Sequence, residues 1–343
     1  MRLLVVTQVV DRNDSFLGFF HRWLEELATH YEHIHVICLK EGEHALPENV
    51  TVHSLGKEGG ESRWKYLTNF FRYVWQLSHE YDAVFVHMNQ EYVLLAGWLW
   101  KLMGKCIYLW RNHYAGGFLT DVAAMFATKV FCTSEHSYTR KYRKTVVMPV
   151  GIDTTHFTPH GERVPHSILS LGRIAPSKNI EVILQALRTL KDQGAEFTAS
   201  IYGDSLPQDR AYHDSLRAYV ADQGLKSRVR FCPGVPNTET PKIFAAYQIF
   251  VNASASGMFD KTIFEAGACG ALSLASSKDY AQDADPRLVF REKDAQDLAQ
   301  KLAVILSLDA PTLSSLQRAS EKNIAAHSLS ALVNRVVSEI CVS

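Results

Sequence analysis

The chain has 343 residues, 47% of them hydrophobic, which fills two α/β cores and exceeds what one ordinary core takes up. Lys and Arg total 36 and Asp and Glu total 36, a balance that argues against a general nucleic-acid binder with its usual basic excess. Cys38, Cys106, Cys132, Cys232, Cys269 and Cys341 form no C-x-x-C pair and mostly sit in apolar runs. That is a reduced, intracellular pattern rather than a disulfide scaffold.

Residues 1–10 are apolar, but the run ends at Asp11-Arg12-Asn13-Asp14 without a small-residue cleavage site. This predicts a buried first strand in place of a signal peptide. Further strands are predicted at Ile34–Cys38, Val50–Ser54, Ala83–His87, Cys106–Trp110, Val130–Thr133 and Val146–Met148, the first being Leu3–Val6. A second series follows at Ile168–Leu171, Thr198–Tyr202, Val229–Phe231, Ile249–Asn252, Leu272–Ala275 and Leu288–Phe290. Runs of Leu, Ile and Val separated by helices predict parallel sheets covered on both faces.

The first helix is expected from Asp14 or Ser15, with Phe16, Phe19, Phe20, Trp23, Leu24 and Leu27 on its inner face. Arg63–Trp75 forms a basic aromatic helix, suited either to core packing with solvated cations or to contact with a membrane surface or lipid-linked acceptor. The apolar stretch Tyr92–Met103 is interrupted by Lys101 and is too short to span a bilayer. Pro, Gly and polar residues cluster over 148–161, where the domain boundary is placed. A helix over Ile180–Lys191 has Ser177 or Asn179 available as its cap. Ser330–Ile340 reads as a last amphipathic helix, and the chain shows no internal repeat.

Two places suit chemistry. In Leu171-Gly172-Arg173-Ile174-Ala175-Pro176-Ser177-Lys178, a strand ends at Gly172 and two cations precede a helix. Ligands of open α/β sheets bind beyond the carboxyl ends of strands, and Arg173 and Lys178 suit phosphate oxygens. Two solvated surface cations are the plainer reading. The second place is Gly257–Gly270, where a helix is expected to start near Asp260 and stop at Gly270. Its N-terminus favours an anion such as a diphosphate, and Glu265 can accept from two vicinal ribose hydroxyls or simply complement the helix dipole.

The ordered set Gly172-Arg173…Lys178, Tyr202-Gly203-Asp204, Gly234-Val235 and Phe264-Glu265-Ala266-Gly267-Ala268-Cys269-Gly270 resembles the retaining glycosyltransferases of family 4, with the GT-B fold. Gly151-Ile152-Asp153 followed by Phe157 resembles that family's inter-domain signature. The resemblance implies that Gly172, Arg173 and Lys178 hold the donor diphosphate and Glu265 the nucleotide ribose. It implies that Gly234, Val235 and Pro236 pack on the base. His113 is the match for a histidine that approaches the donor sugar, and Gly18 for a glycine loop that lets backbone come close to ligands. The resemblance places that family's first glutamate, which usually stands seven residues before the second, on Gly257; Asp260-Lys261 is the expected substitute, with Asp260, Lys261 and Thr262 as donor-binding candidates and Lys261 and His113 as catalytic candidates beside Arg173 and Lys178.

Other features are weaker. Asp283-Ala284-Asp285 fits a D-x-D metal motif but lies beside Pro286 in a predicted loop, and His33 and His35 lack further ligands nearby. No G-x-G-x-x-G follows the first strand, which argues against a nicotinamide dinucleotide fold. The expected architecture is α/β, two Rossmann-like domains facing across a cleft: an acceptor domain over 1–152, a nucleotide-sugar domain over 153–325, and a helix over 326–343 returning to the first. The expected activity is sugar transfer from a nucleoside-diphosphate sugar to a glycan, lipid-linked or small-molecule acceptor, with retention as the resemblance implies. No cofactor, metal or nucleic acid is expected, and the location is cytoplasmic, with peripheral membrane contact at most. A sugar-nucleotide epimerase of the same fold and a non-catalytic nucleotide-sugar-binding subunit are the alternatives.

Overall fold

The computed structural model describes residues 1–14, 17–257 and 260–341. The chain divides into two compact units, Met1–Pro149 with Leu329–Ser343, and Val150–Ser328. The first holds a seven-stranded sheet of β1 (Arg2–Val10), β2 (His33–Glu41), β3 (Val50–Ser54), β4 (Ala83–His87), β5 (Cys106–Trp110), β6 (Lys129–Cys132) and β7 (Thr145–Val147). Their order is β3-β2-β1-β4-β5-β6-β7 and every pairing is parallel. Central β1 pairs Leu3 with Ile34 on one side and Ala83 on the other, and Leu3 to Val6 are fully buried. A strand covered on both faces reads as a continuous apolar run, as this one does.

Helices α1 (Phe19–Ala28), α2 (Arg63–Gln76), α3 (Gln90–Leu102) and α4 (Phe118–Phe126) connect these strands. Phe20, Trp23 and Leu24 of α1 pack on one face of the sheet; Phe70, Val93, Trp100 and Ala123 of the other three pack on the opposite face. The basic aromatic α2 is thus partly core: Phe70 and Val74 are buried, while Trp64 and Trp75 are exposed. Its Ser62 cap accepts from the Lys65 amide at 3.3 Å. Helix α1 starts at Phe19, later than the expected Asp14 or Ser15. Asp14 instead closes a turn, its side chain accepting from Leu17 N at 2.8 Å and its carbonyl from Gly18 N at 3.0 Å. Ser15 and Phe16 lie outside the described residues.

The second unit holds β8 (Val164–Leu171), β9 (Thr198–Tyr202), β10 (Val229–Cys232), β11 (Tyr247–Asn252) and β12 (Leu272–Ala275), all parallel in the order β10-β9-β8-β11-β12. Its helices are α5 (Ile180–Asp192), α6 (Arg210–Asp222), α7 (Thr240–Ala246), α8 (Lys261–Ala268), α9 (Ala295–Leu306) and α10 (Ala310–Ala326). Neither Ser177 nor Asn179 caps α5 with its side chain. Asn179 sits in the left-handed region and spends its amide on Ala253 O, 2.8 Å away. The predicted strand Leu288–Phe290 is not one. Pro286–Leu288 is a 3₁₀ turn capped by Asp285, and the segment makes a single bridge, Ala275 to Val289, while Leu288 and Phe290 fill the core.

Helix α11 (Leu329–Cys341) belongs to the first unit. Leu332, Val333, Val336 and Ile340 are buried there, and the Tyr108 hydroxyl donates to Ile340 O at 3.1 Å. Just before it, the His327 carbonyl accepts from Gly151 N at 3.0 Å and Ile152 N at 2.9 Å. His327 Nδ1 accepts from Val150 N at 3.2 Å, its ring lies 4.4 Å from Phe264, and burial pushes its pKa down to about 4. Ile152 and Ser328 form a parallel bridge, so the two connections between the units run side by side.

Candidate active site

In the second sheet the chain steps outward from β8 through β9 to β10, then returns to the other side of β8 as β11. The junction of β8 and β11 is therefore the topological switch point, where ligands of such sheets bind. Gly172 and Arg173 follow β8 there, and Asn252 ends β11.

A charged network fills the junction. Asp260 caps α8, its Oδ1 accepting from Thr262 N at 3.3 Å and Thr262 Oγ1 at 3.0 Å. Its Oδ2 pairs with Lys178 and accepts from Asn252 Nδ2 at 2.9 Å and Ser254 Oγ at 3.3 Å. Burial alone would push this carboxyl up; the Lys178 charge and these hydrogen bonds win and hold it at about 2. Arg173 is exposed, and among the described residues nothing pairs with its guanidinium. Gly172, Arg173, Lys178, Asn252 and Ser254 line one small open pocket.

Lys261 and Glu265 stand one turn apart on α8. Burial pushes Lys261 down and Glu265 up, each opposed by the other's charge. Lys261 Nζ donates to Gly151 O at 3.2 Å. Glu265 is 6% exposed, and among the described residues no group donates a hydrogen bond to its carboxylate.

Gly234, Val235 and Pro236 follow β10, two strands from β8 and hence about 10 Å along the edge from Arg173. The loops between are drawn tight. A Cβ on Gly203, at φ +149°, would lie 1.9 Å from Gly172 O, and one on Gly234 would lie 2.6 Å from an Asp204 carboxylate oxygen. Gly257 has φ +93°, a conformation that a side chain strains.

In the first unit, Gly18 lies at φ −55°, so close backbone approach is what requires it: a Cβ would lie 2.6 Å from Asp14 O. His113 follows β5 and is half-buried; its Nδ1 accepts from Ala115 N at 2.9 Å, its ring stacks on Tyr114 at 4.6 Å, and burial pushes its pKa down. Asp285 is taken up by Arg287, at 2.9 and 2.7 Å, and His35 by His53, 3.2 Å away.

Asn179, Asn252 and Ser254 were missed by sequence reasoning. Asn252 did carry a signal: it is the polar end of the apolar run Ile249-Phe250-Val251. Asn179 carried none, because its partner Ala253 comes from strand pairing; Ser254, whose partner Asp260 is six residues on, stands in a run of small residues that singles out none of them.

Residues 165–307, inside the second unit, match the model of the family described as Glycosyl transferases group 1. The chain is 25% identical over 169 residues to the UDP-N-acetylglucosamine--peptide N-acetylglucosaminyltransferase GtfA subunit of Streptococcus gordonii, covering 47% of this chain and 32% of that protein. It is 30% identical over 155 residues to the 2-deoxystreptamine glucosyltransferase of Streptomyces kanamyceticus, covering 44% and 39%. The chain thus spans less than half the length of the curated relatives it matches. Anabaena Alr3699/HepE, crystallised with UDP and glucose, superposes with a TM-score of 0.78 at 18% identity, covering 100% of both chains. The fold is that of GT-B glycosyltransferases. The likeness is one of sequence over 165–307 and one of fold over the whole chain.

Proposed function

We propose that the chain moves a sugar from a nucleoside-diphosphate sugar, bound by the second unit, to a glycan, lipid-linked or small-molecule acceptor bound by the first. Glu265 carries this reading. A carboxylate 6% exposed, without a hydrogen bond among the described residues, is costly unless a ligand completes it. Two ribose hydroxyls supply the missing donors. Arg173, Lys178, Lys261 and the amides at the start of α8 would meet the diphosphate, and Gly234–Pro236 the base.

Chemistry follows from that placement. The bond from the sugar's anomeric carbon to the diphosphate breaks, and the departing oxygen keeps the electron pair. Cations fixed beforehand stabilise the charge that grows there. The acceptor oxygen bonds to the anomeric carbon on the face the diphosphate leaves, which retains configuration, and its proton passes to a diphosphate oxygen. Uridine diphosphate is the first ligand to test, since it accompanies HepE and the GtfA donor is UDP-N-acetylglucosamine.

One observation favours a second reading, a nucleotide-sugar-binding subunit without catalysis: Gly257 stands at φ +93° where the family carries a glutamate. Thermal shift with UDP, GDP and ADP identifies the base. Labelled donor sugars with a mixed acceptor extract then separate the readings. Labelled product supports transfer, an isomerised donor means an epimerase, and binding without turnover means a subunit.

A further inference from the structure

The outer surface of α3 and α4 is largely apolar although it faces water, its charges being Glu91 and Lys101 of α3 and Asp121 of α4. Inward, Val93, Ala96 and Trp100 of α3 and Ala123 and Ala124 of α4 are buried. Outward, Trp98 is 49% exposed, Leu102 78%, Phe118 78%, Leu119 57% and Met125 76%. A helix on a water-facing surface normally turns charge outward. Here Asp121 is the one charged residue of α4, and Lys141 pairs with it at 2.7 Å. The helices sit close because Gly97 lacks a side chain: a Cβ there would lie 2.9 Å from Phe126 Cβ. Their outer faces therefore form one surface.

Cations border that surface where the two helices end. Lys144 Nζ donates to Ala127 O at 2.6 Å, beside Met125, and the Lys101 charge is near enough to help burial lower the Lys144 pKa. Arg143 is exposed next to it. The run Arg140-Lys141-Tyr142-Arg143-Lys144 contains no carboxylate.

We infer that this face docks on an anionic lipid bilayer. Leu102, Met125 and Phe118 would enter the boundary between headgroups and acyl chains, as the apolar side of an interfacial helix does. Trp98 has an amphipathic ring of the kind that settles at headgroup level. Lys101, Arg143 and Lys144 would meet lipid phosphates. Charge selects the bilayer over a second copy of the chain: a two-fold contact would set this cationic edge against its own image. The contact is peripheral, since among the described residues no helix is long and apolar enough to cross a membrane.

Flotation with vesicles of phosphatidylglycerol and phosphatidylcholine, against phosphatidylcholine alone, tests the inference. The protein should float with the anionic vesicles, and Trp98 emission should shift to the blue. The double variant Leu102→Ser/Met125→Ser should cut the bound fraction at least about tenfold. Lys101→Gln/Lys144→Gln should erase the preference for phosphatidylglycerol. Leu102, Met125 and Lys101 are exposed and Lys144 is half-buried; unchanged far-ultraviolet circular dichroism shows that the variants are folded. A wild-type protein that floats with neither vesicle, or a serine variant that floats as well as wild type, overturns the assignment. A dimer in sedimentation velocity that the serine variant dissociates, with no vesicle binding, gives the face to a second copy instead.

Discussion

Lys178 and Asp260, 82 positions apart, form an ion pair where β8 and β11 adjoin. Asp260 also caps α8 and accepts from Asn252, Thr262 and Ser254, so one carboxylate joins the loop after β8 to the helix after β11. Lys178 therefore reaches any ligand already held in place.

Removing that carboxylate should be costly. Asp260→Asn leaves a part-buried ammonium unpaired and should lower stability by about 3 kcal/mol at neutral pH. Because the folded pKa is about 2 against an ordinary 3.8, the ionised group stabilises the fold above the ordinary value and ceases to as pH falls through about 2. Urea unfolding along the acid limb should show this loss in wild type and not in the variant. Equal stability at neutral pH contradicts the pairing.

Arg173 offers the opposite case. Its guanidinium is exposed and has no partner among the described residues, so Arg173→Ala should leave the melting temperature unchanged. Donor use should weaken by roughly 2–4 kcal/mol, since a charge-assisted contact is lost where charge develops. Wild-type kcat/KM for donor in this variant removes Arg173 from the site.

Glu265→Gln separates ligand service from helix-dipole service. Dipole service is worth about 0.3–1 kcal/mol of stability. A ribose contact is worth roughly 1.5–3 kcal/mol of nucleotide affinity, or about tenfold and more in Kd. Titration calorimetry with UDP should report that loss with little change in melting temperature. Burial raises the Glu265 pKa against the opposing Lys261 charge, so wild-type affinity should also weaken as pH falls and the carboxylate gains its proton. The variant should show no such dependence.

Gly203→Ala tests the tight loops at the edge of the sheet. The new Cβ would meet Gly172 O at 1.9 Å from a backbone at φ +149°. A loss of about 2–3 kcal/mol is expected, together with weaker UDP binding, because Arg173 adjoins the displaced carbonyl. Urea unfolding and calorimetry on one preparation measure both.

What could be read from sequence follows the range of the forces involved. The strands β4, β5, β9 and β12 were predicted to the residue because each is short and buried at its centre, so its apolar run has sharp ends; edge strand β3, none of whose residues is buried, was marked by the alternation Val50-Thr51-Val52. Leu288–Phe290 has the same composition but lacks a partner beyond one bridge, and composition cannot report that. The turn Gly172-Arg173 and the start of α8 are local signals and were legible. The parts played by Asn179 and Ser254 were not. Asn179 serves Ala253, 74 positions on, and that meeting exists only once β8 and β11 pair.

The side-by-side connections at Val150–Ile152 and His327–Ser328 bear on the order of synthesis. The second unit has all its residues once Ser328 has been made, whereas the first still lacks α11, which fills its core with Leu332, Val333 and Val336. Domains fold as units while the ribosome works. On this chain the later-encoded unit has its full set of residues first, and one face of the amino-terminal sheet is covered by α1 alone until the last helix arrives.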